Sequence, residues 1–301
     1  RLLRMTDIQT LDSQYVAHTY ARAPVTFVRG EGCHLYDEAG KSYIDMGSGI
    51  AVSALGYGDE GWVAAVSAQA GQLAHASNLY HTAPQALLAQ RLCERTGMKR
   101  VFFGNSGAEA NECAIKLARL YSKKMGGGGQ TIITMDRSFH GRTLATLAAT
   151  AQPAKQEAFQ PLPGGFLHVP MNDLNALHQA VYNNLADVCA VMIEPVQGEA
   201  GVRLPAAGWL EALRERCDRT GALLVFDEIQ TGLGRTGALF AMQRYGVTPD
   251  IVCLAKAFGG GMPLGAFVAA KRTMDALQTD PALGHITTFG GHPVCLSLIH
   301  I

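Results

Sequence analysis

The rhythm of apolar and polar positions changes soon after residue 50. Before that point the pattern predicts short strands over 25–28, 33–36 and 42–45, separated by Gly30, Gly32 and Gly40 as in hairpin-like pieces. Residues 60–73 and 84–95 then carry apolar side chains at helical spacing. From position 100 onward, short apolar runs alternate with amphipathic segments. The runs predict strands over 100–103, 131–134, 166–169, 188–193, 222–226, 250–254 and 265–270. The segments between them predict helices over 108–123, 142–149, 174–184, 207–219 and 236–245. This alternation predicts an α/β fold, a mostly parallel seven-stranded sheet flanked by helices. The four-glycine run at 126–129 reads as a flexible surface loop, and no internal repeat is present. In open sheets of this kind ligands sit past the carboxyl ends of the strands. Candidate chemistry is therefore sought just after each strand.

Composition narrows the function classes. The 25 Lys+Arg balance 25 Asp+Glu, so no basic excess marks a nucleic-acid partner. Apolar residues make up 48% and charged ones 17%, against a usual ~25% charged. That excludes disorder as the main state and predicts much buried surface, a subunit interface included. The seven cysteines contain no C-x-x-C pair, which predicts reduced thiols in the cytoplasm or an organelle matrix. The ten histidines show no metal-ligand spacing, so no metal is expected. No apolar run approaches the roughly 18 residues of a membrane span, so no membrane partner is expected either. The chain starts at Arg1 without a signal-peptide pattern, as expected of a fragment or a processed chain.

One motif is a decoy. Gly232-Leu233-Gly234-Arg235-Thr236-Gly237 satisfies G-x-G-x-x-G, but residues 227–231 separate it from its strand. No acidic residue closes the next strand, so a dinucleotide site is weakly supported. The strand ends say more. Asn105-Ser106-Gly107-Ala108 places small residues at a strand-to-helix turn, leaving backbone N–H groups for an anion; an ordinary N-cap by Ser106 is the competing reading. Phe139 and Arg142 could stack on a planar ring and hold a carboxylate, or be a core phenylalanine and a surface arginine. Glu194 and Glu199 follow a buried strand, where carboxylates need partners. Asp227 emerges from the run Leu223-Leu224-Val225-Phe226 and needs a cation to stay ionised, unless it is an N-cap or metal ligand. Lys256 ends an apolar strand before three glycines, where partial burial would favour Schiff-base chemistry; a surface lysine is the bland alternative. Taken together, a buried acid, a strand-end lysine, an anion site and an aromatic plate are what pyridoxal phosphate requires.

These residues resemble the class III aminotransferases of the fold type I pyridoxal-phosphate enzymes. The resemblance runs from about Tyr36 to Pro293. It is carried by the segments at 102–111, 139–143, 194–199 and 226–232, by Ala255-Lys256, and by Thr287-Thr288-Phe289-Gly290-Gly291. It implies a pyridoxal 5'-phosphate cofactor whose phosphate meets Ser106, Gly107 and Ala108, whose ring lies on Phe139, and whose ring nitrogen meets Asp227. Gln230 would approach the ring oxygen, with Glu228 and Ile229 also in the cofactor set. Lys256 would be the Schiff-base lysine and proton shuttle, and Arg142 would grip a substrate carboxylate. Glu199 would be a switch that masks a second arginine, Thr287 would lie near substrate, and Thr288 would reach the partner's phosphate in a homodimer with shared sites. The implied organisation is an N-terminal segment over 1–58, part of a small domain, and a large cofactor-binding domain over 59–295. Residues 296–301 would be an atypical end, with the family's C-terminal domain missing.

Within the class, Ser48-Gly49-Ile50-Ala51-Val52, His75-Ala76-Ser77-Asn78-Leu79-Tyr80 and Gly165-Phe166-Leu167-His168-Val169-Pro170 are most similar to the acetylornithine branch. That implies transfer of the terminal amino group of N-acetylornithine to 2-oxoglutarate, in arginine biosynthesis. An ornithine or 4-aminobutyrate aminotransferase, or a non-catalytic fragment, stays open beside it.

Overall fold

The computed structural model describes residues 8–297. A three-stranded antiparallel sheet comes first: β1 (Phe27–Glu31), β2 (His34–Asp37) and β3 (Ser42–Ile44). Gly40, at φ +80°, supplies the left-handed turn between β2 and β3, a conformation that favours a residue without Cβ. An exposed helix over Ile8–Tyr15 precedes this sheet where only strands and turns were expected.

All seven strands expected of the main sheet form. They are β4 (Arg100–Gly104), β5 (Thr131–Met135), β6 (Phe166–Val169), β7 (Val188–Ile193), β8 (Leu223–Asp227), β9 (Ile251–Leu254) and β10 (Gly265–Ala269). Their order is β4-β10-β9-β8-β7-β5-β6. Strand β10 runs antiparallel to both its neighbours, and the other pairings are parallel. The carboxyl ends of β4, β5, β7, β8 and β9 therefore share one edge, and β10 begins there.

The central strands are apolar on both faces because helices cover both. Leu224 and Phe226 of β8, Val252 and Leu254 of β9, and Val191 and Ile193 of β7 belong to one core cluster. The helices Ala83–Thr96, Leu174–Asn183 and Trp209–Thr220 complete it with Leu88, Leu92, Leu177, Val181, Trp209 and Leu213. The alternate residues Leu223, Val225, Ile251, Cys253, Ala190 and Met192 join the opposite cluster, against the helix Gly107–Lys124. That helix turns Ala110, Cys113, Ala114, Leu117 and Ala118 inward, small enough for a long helix to lie close on the sheet. The period of two along each strand decides which face every strand-end residue meets.

Two local expectations are corrected. The helix expected over 236–245 starts only at Ala241, because Leu233, Gly234 and Gly237 take positive φ of 58°, 88° and 88° and keep the glycine-rich stretch in turns. The helix expected from 142 starts at Leu144, after Gly141 at φ +141° and the extended cap Thr143. Residues 126–129 form a surface loop, 126–128 exposed, in which the Gly127 and Gly128 N–H groups donate to Ser122 O and a Cβ on Gly129 would stand 2.6 Å from Asp187 O. All seven cysteines are free thiols. Among the described residues no helix is long and apolar enough to cross a membrane. Of the expected atypical end, 298–301 lie outside the described residues, while Pro293–Leu296 form a buried helical turn.

Candidate active site

A cavity of about 550 Å³ opens at the carboxyl edge of the main sheet. Asp227, the last residue of β8 and 3% exposed, forms its floor. Following Leu223 and Val225 in alternation, it faces the side of the Gly107–Lys124 helix. There Asp227 Oδ2 accepts from Asn111 Nδ2 and from His140 Nδ1, both at 2.8 Å, and Oδ1 accepts from the Ile229 N–H at 3.1 Å. Burial alone would lower the His140 pKa. The hydrogen bond to Asp227, with the charges of Asp227 and Glu194, reverses that and raises it. The floor is thus a buried ion pair whose anion is tethered on several sides.

Lys256 follows β9 at φ +51°, a left-handed backbone rare for a residue with a Cβ, at the start of the short turn Lys256–Gly259. Its Nζ donates to Gln230 Oε1. Burial lowers the Lys256 pKa, against the opposing charges of Asp227 and Glu194. A Cβ on Gly198 would stand 2.8 Å from Gln230 Cγ, so glycine there admits the glutamine. Glu194 follows β7, and its Oε2 accepts the Phe139 N–H at 3.0 Å. Burial pushes its carboxyl up to about 7, with His140 and Lys256 pulling the other way.

The opposite wall is the start of the Gly107–Lys124 helix. Ser106 caps it, Oγ accepting the Glu109 N–H at 3.2 Å. The N–H groups of Gly107 and Ala108 lie in the first turn, where no helix carbonyl can reach them. Capping and anion binding are therefore compatible here. A Cβ on Gly265 would fall 2.2 Å from Ser106 O, and one on Gly107 would fall 2.7 Å from Ile229 Cδ1. Glycine at both positions lets β10 and the turn after β8 close on this loop.

Phe139, Arg142 and Glu199 line the same cavity. The Arg142 guanidinium carbon stands 5.7 Å from the Phe139 ring centroid. The structure thus brings Ser106, Gly107, Ala108, Phe139, Arg142, Glu199, Asp227, Ile229, Gln230 and Lys256 around one space. Glu228 does not join them. Next in alternation after Phe226, it turns to the other face, where its carboxylate accepts the Ala241 and Met242 N–H groups at 2.6 and 2.8 Å and caps a helix. Thr287 lies just outside, bonded to Asn105 Nδ2 at 3.1 Å, and Thr288 is exposed. Sequence reasoning gave no role to His140 or Asn111. A signal existed for Asn111, a fully buried polar residue on the helix's small apolar face.

The donor set fits a planar, phosphorylated pyridine. A fixed anion awaits a protonated ring nitrogen, helix N–H groups await the phosphate, and an aromatic plate and a partly buried amine stand between. Among the described residues no group of three or more His, Cys, Asp or Glu could hold a metal ion.

Comparison with known proteins agrees with this geometry. Residues 15–300 match the family model for aminotransferase class-III. The chain is 49% identical to the acetylornithine aminotransferase of Methanocaldococcus jannaschii over 95% of its own length and 71% of the relative's. It is 47% identical to that of Haemophilus ducreyi, over 95% and 72%. Among solved structures, an ornithine aminotransferase from Toxoplasma gondii with partial occupancy of PLP superposes with a TM-score of 0.91 at 32% identity, over 99% of this chain and 70% of that one.

Proposed function

The chain belongs to the class III aminotransferases, and from that membership we propose that it transfers the terminal amino group of N-acetylornithine to 2-oxoglutarate, leaving the semialdehyde and glutamate. The observation that carries the choice of donor is the identity of 47–49% to acetylornithine aminotransferases over 93–95% of the chain.

The cofactor is pyridoxal phosphate, which when bound supplies an electron sink for negative charge at the carbon that bears the amine. In our reading the Gly107 and Ala108 N–H groups, with Ser106, hold its phosphate, and Asp227 holds the ring nitrogen in its protonated form. The ion pair with His140 keeps the Asp227 carboxylate aimed at the floor centre. Phe139 supports one ring face. Its position is fixed by the Glu194 carboxyl on its N–H. Gln230 orients the Lys256 amine and lies toward the ring oxygen, with Ile229 packed beneath the phosphate loop. Lys256 Nζ, which burial biases toward the free amine, would hold the cofactor and would carry the proton at the reacting carbon. Arg142 binds the substrate carboxylate, where a guanidinium fork fixes the angle as well as the charge.

The domain division near 58 and the homodimer, with exposed Thr288 reaching a partner's phosphate, belong to the same reading, as does a reducing compartment for the seven thiols. The deciding experiment follows the cofactor's absorbance through one turnover with N-acetylornithine, ornithine and 4-aminobutyrate. N-acetylornithine should convert it fastest; preference for either of the others overturns the choice of donor.

A further inference from the structure

The segment His75-Ala76-Ser77-Asn78-Leu79-Tyr80 carries part of the resemblance to the acetylornithine branch, yet no residue of it lines the cavity. Its contacts lie elsewhere. Asn78 Nδ2 donates to Gly290 O at 2.7 Å, and Asn78 Oδ1 accepts from Gln85 Nε2 at 3.1 Å, which fixes the way the amide faces. In the same segment the His75 ring stacks on His292 at 5.4 Å and stands 5.2 Å from the Phe289 ring centroid. The motif therefore grips the far end of the loop 284–292. Two further bonds hold the rest of it: Lys116 Nζ donates to Gly284 O at 2.9 Å, and Asn105 Nδ2 to Thr287 Oγ1 at 3.1 Å. The loop is also seated on β4, where a Cβ on Gly290 would fall 2.2 Å from Phe103 O. A surface loop left free has backbone entropy to lose on binding. Here three tethers remove it beforehand, and Thr288 stands exposed between the last two.

We propose that Asn78 is a positioning residue for cofactor binding: its bond to Gly290 O sets the loop so that Thr288 meets the phosphate in the partner's site. The inference rests on the reading of Thr288 as that contact in a homodimer. Its physics is preorganisation. A hydroxyl bonds a phosphate oxygen well only over a narrow range of distance and angle. A loop already held in place spares binding the cost of ordering it. Gly290 lies two residues past Thr288, so a shift of the backbone at one is carried to the other. The phosphate is the one group of the cofactor that this loop would touch, so the effect of Asn78 falls on the phosphate and not on the ring. Asn78→Asp is the informative substitution. It keeps the shape and the acceptor for Gln85, but sets an oxygen against Gly290 O where an N–H donor stood.

The test is equilibrium titration of the cofactor-free protein with pyridoxal phosphate and, separately, with pyridoxal, which lacks the phosphate. Asn78→Asp should weaken pyridoxal phosphate about tenfold, the scale of one hydrogen bond to a charged group, and leave pyridoxal within about twofold of wild type. Thr288→Val should give the same selective loss, and Thr288→Ser should keep wild-type affinity. Asn78→Asp with Thr288→Val should stay within about twofold of Thr288→Val alone, because the contact that Asn78 aims is already gone. Unchanged affinity for pyridoxal phosphate in Asn78→Asp overturns the proposal. So does an equal loss for pyridoxal, since Asn78 would then support the cavity as a whole, and so do additive losses in the double variant. Thr288→Val separates the premise: if it leaves pyridoxal phosphate affinity untouched, the reading of Thr288 fails first and takes this inference with it. If Thr288→Val weakens binding while Asn78→Asp does not, only the inference fails.

Discussion

Replacing Glu194 with glutamine removes one ionisable group from the cavity while keeping a side-chain oxygen to accept the Phe139 N–H bond, 3.0 Å long in the native protein. Glu194 is 5% exposed, and burial pushes its carboxyl from 4.5 up to about 7. The folded protein therefore keeps a proton on Glu194 over a range where the unfolded chain has lost it. Stability falls wherever the folded state binds more protons, as pH rises. The stabilising difference is intact below 4.5, is lost progressively between 4.5 and about 7, and is gone above that. At roughly 1.4 kcal/mol per pH unit, the whole displacement is worth about 3 kcal/mol, most of which falls between pH 5 and pH 8.

Denaturant unfolding of the cofactor-free protein at pH 5 and pH 8, wild type beside Glu194→Gln, reads this directly. The variant should lose about 2–3 kcal/mol less than wild type over that interval. Other groups titrate in both proteins and cancel to first order. His140 and Lys256 cancel imperfectly, because the Glu194 charge contributes to the pKa of each. The His140 effect has the same sign, stability falling as pH climbs past 6.5 and through its raised folded value. Parallel pH profiles for the two proteins would refute the burial argument, and with it the account of how this cavity treats charge.

Three further outcomes follow from the contacts. Gly265→Ala would drive a Cβ to 2.2 Å from Ser106 O. It should cost about 1–3 kcal/mol in thermal unfolding and weaken cofactor binding in a fluorescence titration; a neutral substitution would mean β10 does not press on the loop. Glu228→Ala should cost about 1–3 kcal/mol of stability by uncapping Ala241 and Met242, with cofactor affinity unchanged. Lost cofactor affinity at full stability would return Glu228 to the cofactor set. Borohydride should fix pyridoxal phosphate to the wild type and not to Lys256→Ala, and a reducible link surviving in the variant would move the attachment to another lysine.

Much of the sheet was legible because its strands are dry on both faces and bounded by amphipathic helices. What local pattern could not carry was order. That β10 inserts between β4 and β9 in the opposite sense depends on pairing over long separations. The cavity residues were found where a strand end coincides with an unusual side chain, as at Asp227 and Lys256. Glu228 was grouped with them by the family resemblance, although the alternation that places Leu223, Val225 and Asp227 on one face turns it to the other. His140, Asn111 and Asn78 gain their meaning only from partners far along the chain: Asp227 for the first two and Gly290 for the third. The late helix start at Ala241 reflects left-handed residues that hydrophobic spacing does not register.

The same burial that raises Glu194 lowers Lys256, and the two groups are linked. A charged Glu194 favours the ammonium of Lys256, and a charged Lys256 favours the carboxylate of Glu194. Desolvation works against both charges at once, so the cavity favours the neutral acid together with the neutral amine. Protonating Glu194 removes one of the anions that hold the proton on Lys256, which shifts the balance further toward the free amine. Asp227 is placed differently: three donors hold its carboxylate, and its ion-pair partner His140 is pushed toward the charged form. A fixed anion at the floor beside an amine released from its proton is the asymmetry that lysine nucleophilicity and a protonated ring nitrogen require together. It arises because β7, β8 and β9 deliver Glu194, Asp227 and Lys256 to one edge of a sheet whose interior is too dry to leave all of them charged.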